Sequence, residues 1–145
     1  MKNLICILMM GFFFMNQSAA QSTEPSTAKG LTLTVNLKGM STEKGEVSVG
    51  LYNEEGQWLK QTYKGLGSPV VGGTGRVIFQ DLPEGVYAIS TFHDINSNGE
   101  LDSNFMGIPK EPYGFSNDAK GLFGPASFKD SKFEVVKDSE ISINF

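Results

Sequence analysis

Beyond residue 20 the chain has no cysteine: of its 145 residues a single one is Cys, at position 6. This excludes a disulfide scaffold, a thiol nucleophile and a cysteine-ligated zinc or iron–sulfur site in the remainder. Histidine and tryptophan also occur once each. A lone His93 excludes a His-rich metal site and leaves one conceivable imidazole base. Positive charge is scarce too. From Gln21 onward there are 11 basic against 16 acidic side chains, a formal charge of −5. No basic footprint for nucleic acid exists at that balance. Length alone predicts one domain.

The first twenty residues account for the cysteine and for 14 of the apolar side chains. Met1-Lys2-Asn3 is a short positive start, Leu4 to Met15 is a nearly unbroken apolar run, and Ser18-Ala19-Ala20 places small residues before a cut at Gln21. That is the pattern of an export signal, and a run of about a dozen residues falls short of the roughly 20 that span a bilayer. Residues 1–20 are therefore read as a signal peptide. The mature chain is expected in the periplasm or outside the cell, and not spanning the membrane once the signal is cleaved. Residues 21–29 (QSTEPSTAK) read as a disordered linker, and the folded domain as 30–145.

In the domain the apolar period is two. Leu31, Leu33, Val35 and Leu37 alternate with polar residues, as do Val47, Val49 and Leu51; a less regular stretch follows over Trp58–Tyr63. Gly65–Gly75, with five Gly and a Pro, reads as a loop or irregular edge and not as a regular element, and it lacks the Gly-Lys-Ser/Thr ending of a phosphate loop. Arg76–Gln80 and Val86–His93, joined by Asp81-Leu82-Pro83-Glu84-Gly85, form a hairpin; Lys132–Val136 and Ile141–Phe145 form a closing strand pair. Capped 3.6-residue periods are missing, so helix is minor or absent. About seven short strands predict an all-β, immunoglobulin-like or prealbumin-like antiparallel β-sandwich, monomeric, with one long ordered loop over Asp94–Asp130. A loop of that length is functional or conceals an element. Its many aromatic and aliphatic residues favour packing over disorder.

The loop opens Asp94-Ile95-Asn96-Ser97-Asn98-Gly99-Glu100-Leu101-Asp102. Asp94, Asn96, Asn98 and Asp102 put side-chain oxygens at positions 1, 3, 5 and 9, Glu100 supplies a backbone carbonyl at 7, and Gly99 sits at 6. Calcium wants six to eight hard oxygens, and alternate residues of a tight loop supply them around a turn that glycine permits. A bidentate Glu at position 12 is missing, since Phe105 stands there, so further oxygen must come from Glu111, Asp118 or beyond. The competing reading is a run of Asx-turns without metal. Calcium, where bound, is structural.

Other chemistry finds little support. His93 adjoins Asp94, but neighbours on a strand face opposite ways. Asp94 and Asp102 make poor glycosidase acids if they bind cation, and no Gly-x-Ser-x-Gly elbow is present. The chain is thus read as a non-catalytic module that presents a surface to an envelope protein or glycan. The alternative is a glycan or small-ligand binder stacking on Trp58, Tyr113 and Phe115. A hydrolase using His93 stands third.

Phe79-Gln80-Asp81-Leu82-Pro83-Glu84-Gly85-Val86-Tyr87-Ala88 resembles the hairpin of prealbumin-like and Cna B-type sandwich modules. The run from His93 to Asn117 (HDINSNGELDSNFMGIPKEPYGFSN), continued by FGPASF, resembles the bacterial domain of unknown function 2141 family. That resemblance covers about Gly30 to Phe145 and implies an exported bacterial β-sandwich without an established activity. Transthyretin-related hydrolases are less similar: they use several histidines and a Tyr-Arg-Gly-Ser ending, where this chain ends Ser142-Ile143-Asn144-Phe145.

Overall fold

The computed structural model describes residues 29–145. The signal-peptide assignment, and the linker up to residue 28, lie outside the described residues. Eight strands run in chain order: β1 (Leu31–Lys38), β2 (Glu46–Tyr52), β3 (Lys64–Pro69), β4 (Thr74–Leu82), β5 (Gly85–Asp94), β6 (Tyr113–Phe115), β7 (Phe133–Val135) and β8 (Ser139–Asn144). They form two layers. One sheet has the order β4-β1-β8, the other β3-β2-β5-β6, with β7 pairing the start of β5. All pairs are antiparallel except β1 with β8.

The alternation in the sequence builds the core. Leu33, Val35 and Leu37 of β1 are fully buried and share one cluster with Val47, Val49 and Leu51 of β2, Phe79 of β4, Tyr87 and Ile89 of β5 and Ile143 of β8. Each such side chain contributes roughly 1.5–3 kcal/mol by leaving water. A second, smaller cluster of Tyr52, Ala88 and Phe128, with Trp58 packed on it, is separate from this core. Register places it on the outer side of the larger sheet, because Tyr52 pairs with Ala88 one step beyond the inward pair Leu51–Ile89.

Five expectations need correction. Arg76–Gln80 and Val86–His93 are not a hairpin, because β4 pairs β1 in the smaller sheet and β5 pairs β2 in the larger, so Pro83-Glu84 carries the chain from one sheet to the other. Gly65–Gly75 is not simply a loop, since β3 occupies Lys64–Pro69 at the sheet edge with Gly65 opposite Gly50 and Gly67 opposite Ser48. An edge strand facing glycine and serine needs no apolar period. Trp58–Tyr63 is not a strand: a 3-10 turn (Glu55–Gln57) precedes it and Leu59 has φ +56. The two closing strands are not a pair, because β7 joins β5 while β8 joins β1 in parallel. Finally, the stretch after Asp94 contains β6, a 3-10 turn (Ser116–Asp118) and a one-turn helix, α1 (Phe128–Ser131), capped by Ser127. Elements of three or four residues are too short to show a period.

Candidate functional site

Strand β5 ends by delivering Asp94 into the protein. The residue is 1% exposed, and its carboxylate is held by backbone: Oδ1 accepts from Asn98 N at 3.1 Å and Oδ2 from Gly99 N at 2.7 Å. Gly99 (φ +82) and Ser97 (φ +57) supply the left-handed steps that bend the chain back over it. Asn96 Oδ1 accepts from Asn98 N at 3.0 Å, and Asn98 Oδ1 from Glu100 N at 2.9 Å. The amide groups of Asn96 and Asn98 donate to the two oxygens of Asp102, at 2.6 and 3.1 Å. Glu100 itself is exposed. Asp94, Asn96, Asn98 and Asp102 are thus gathered into one turn.

Glu111 closes that turn. It is buried, and its carboxylate accepts from Ile95 N at 2.8 Å and from Asp102 N at 3.1 Å, tying both ends of the loop together. Spacing could not reveal this, because an arm intervenes. Asp118 lies elsewhere: its two oxygens accept from the backbone and side-chain nitrogens of Asn144 on β8. Among the described residues no three His, Cys, Asp or Glu side chains converge to metal-binding distance. A cation here would therefore draw on the Asn amide and backbone oxygens beside Asp94 and Asp102. The residues fit that demand. Each oxygen of Asp94, Asp102 and Glu111 accepts one hydrogen bond and keeps a second lone-pair direction.

From this root an arm projects. Lys110 N donates to Asp102 O at 2.7 Å, Ser103 bridges Pro109, and Asn104 Oδ1 accepts from the N–H groups of Met106 and Ile108. The tip so formed leaves Phe105 97% exposed and Met106 and Ile108 more than half exposed. A second tip carries Leu122 and Phe123, also essentially fully exposed. Between arm and second tip lies a groove of about 730 Å³ over the outer face of β5. Ser90, Thr91 and Phe92 line its base. Leu101, Met106 and Ile108 form the arm side, and Phe123 and Pro125 the other.

Of the three aromatic residues assigned to stacking, Tyr113 and Phe115 line this groove and Trp58 does not. Tyr113 is exposed and packs edge-on to Phe115, which is only 5% exposed. Trp58 sits between Tyr52 (4.8 Å between ring centroids), Phe115 and Phe128 (5.8 Å each), and its Nε1 donates to Ala126 O at 2.9 Å. It braces the second tip against the sheet. Burial raises the Tyr52 phenol above its ordinary range, so that hydroxyl beside the groove stays protonated.

His93 is fully buried on the core side of β5. Its Nε2 donates to the Lys44 carbonyl at 2.7 Å, and Nδ1 has no partner. It lines neither this groove nor the polar cleft between β6 and β8. Among the described residues no helix is long and apolar enough to cross a membrane.

Fold and loop together define an all-β, two-sheet sandwich whose longest connection is an ordered, acid-rooted arm. The chain belongs to the bacterial family described as "Uncharacterized protein conserved in bacteria (DUF2141)", whose profile matches residues 35–144. No curated protein and no solved structure matches it.

Proposed function

We propose that this protein is an exported, non-catalytic binding module of the bacterial envelope, in which calcium held by the Asp94–Asp102 turn fixes the arm that carries its exposed surface. Export rests on the apolar run and small-residue cut site of residues 1–20. One observation carries the reading. The acid-and-amide turn pinned by buried Asp94 and Glu111 is the root of an arm whose tip, Phe105 to Ile108, is exposed apolar surface. Such surface on a soluble domain marks an interaction site. A soluble catalytic role finds no second titratable group hydrogen-bonded to the His93 ring, whose one partner is a backbone carbonyl.

The Glu100 carbonyl and the oxygens of Asp94, Asn96, Asn98 and Asp102 are the proposed ligands, with Glu111 holding the ring of residues closed. With two loop carboxylates the affinity belongs to the weak extracellular class, about 10⁻⁴ to 10⁻³ M. Calcium at about tenfold above Kd then raises the melting temperature of the mature chain by about 5 °C. Calorimetric titration and melting with and without chelator test this. Absence of both heat and shift removes calcium from the proposal, and Asp94→Asn is expected to abolish the shift. An envelope protein or a small ligand is the partner class for the surface itself.

A further inference from the structure

We propose that the groove between the arm and the second tip binds the hydrocarbon tail of a single-chain, uncharged amphiphile. The inference rests on the binding-module reading and names the ligand class. Its warrant is the chemistry of the lining. In a chain whose residues are 19% charged, no Asp, Glu, Lys, Arg or His side chain lines this groove, and no Asn or Gln does either. Recognition of a sugar needs amide, carboxylate or guanidinium groups that bridge neighbouring hydroxyls; the few polar side chains here are hydroxyls. One of them does not face it, since the Thr91 side chain shares the core side of β5 with Ile89 and His93 and its Oγ1 donates to Ser48 O at 2.8 Å. A phosphate or carboxylate ligand would find no cation.

What the groove does offer is apolar contact on both sides, from Leu101, Met106 and Ile108 on the arm and from Phe123 and Pro125 on the second tip. Its volume of about 730 Å³ falls within the roughly 300–1,000 Å³ of small-molecule sites. Met106 adds an unbranched, adaptable side chain suited to a slender chain of variable kinks. Gly107 and Gly124, both at positive φ, supply the left-handed steps that bend the two tips beside it.

Trp58 reports on occupancy, because it is the single tryptophan and packs edge-on or tilted against two groove-lining rings, Tyr52 and Phe115. The mature chain is titrated with a monoacylglycerol brominated along its tail, below the concentration at which it forms micelles. The expected result is saturable quenching of Trp58 emission, reversed by the unbrominated lipid. Ile108→Asp, at a half-exposed position that leaves the fold intact, places a charge in the lining and weakens binding about tenfold or more. Leu122→Ser, on a tip residue outside the lining, leaves it unchanged.

Lack of saturable quenching below the micellar concentration overturns the proposal. So does equal weakening by Leu122→Ser, or quenching confined to phospholipid vesicles, which would assign the tips to a membrane surface. Displacement by a soluble oligosaccharide overturns it in favour of a glycan. If quenching fails while the calcium-dependent melting shift persists, the ligand class alone is wrong and the calcium-fixed module stands.

Discussion

Gly45 precedes β2 with φ +75, and a Cβ there would lie 1.9 Å from the Asp94 carbonyl oxygen and 2.7 Å from Ile95 Cα. Two chain segments thus touch backbone to backbone where the candidate turn begins. Both the left-handed φ and the absent Cβ are required, so an alanine cannot be admitted without displacing the strand end that presents Asp94. Gly45→Ala is expected to destabilise the protein by about 3 kcal/mol and to weaken calcium binding as well. Urea unfolding, followed by calcium titration of whatever remains folded, measures both; an unchanged midpoint would contradict the close approach. Next to it, His93 Nε2 donates to the Lys44 carbonyl. The same segment is therefore held from both sides of the strand, by the core-side imidazole and by the glycine contact.

Among the elements, the stretch that follows the arm is held by two polar side chains, one buried and one exposed. Ser116 is fully buried: its Oγ accepts from Ile89 N at 2.9 Å and donates to the Ser131 carbonyl, while Asn117 Nδ2 donates to the carbonyls of Asp130 and Lys132. β6, the following 3-10 turn and α1 are fastened to β5 through this pair. Ser116→Ala leaves Ile89 N–H and Ser131 C=O unpaired inside the protein, at a cost of about 1–3 kcal/mol. Hydrogen exchange should show faster exchange at Ile89 and through residues 113–132, with the β1 and β2 amides less affected; uniform protection would refute this local clasp. These contacts also explain what could be read in advance. Alternation over four to five residues exposed β1, β2, β4 and β5 directly, because each buries one face. β3 and β6 were hidden, since glycine-rich or three-residue strands lack a period, and so was the parallel return of β8, which no local signal encodes. The turn at Asp94–Asp102 was legible as spacing. Glu111 was legible only as a residue type, because its position depends on how the intervening arm folds back, and the groove depends on two tips separated by β6.

At the scale of the whole molecule the two sheets meet at corners that polar groups close. At one, Lys64 Nζ donates to the Gln80 carbonyl of β4 at 2.7 Å; at the other, Asp118 takes the Asn144 N–H of β8. Edges blunted by charge in this way resist strand-to-strand association. Each side of the larger sheet also carries a phenol that burial pushes upward in pKa: Tyr87 in the inter-sheet core, aided by the nearby Tyr63, and Tyr52 in the outer cluster. An acid whose folded pKa lies above its unfolded value near 10.0 stays protonated in the fold after the unfolded chain has lost its proton. The unfolded state then binds fewer protons, so stability is intact below about pH 10 and declines as pH rises beyond it. Because Tyr87 and Tyr52 sit in different layers, the decline loosens core and outer cluster together, and unfolding should remain one transition. Urea midpoints measured between about pH 8 and pH 11 test this against Tyr52→Phe, whose hydroxyl makes no hydrogen bond to backbone or side chain among the described residues. The variant is expected to match the parent at the lower pH and to lose less stability at the higher, since it removes one of the two titrating phenols while keeping the ring packed on Trp58. Parallel loss in parent and variant would mean that the alkaline decline does not come from the phenol beneath the groove.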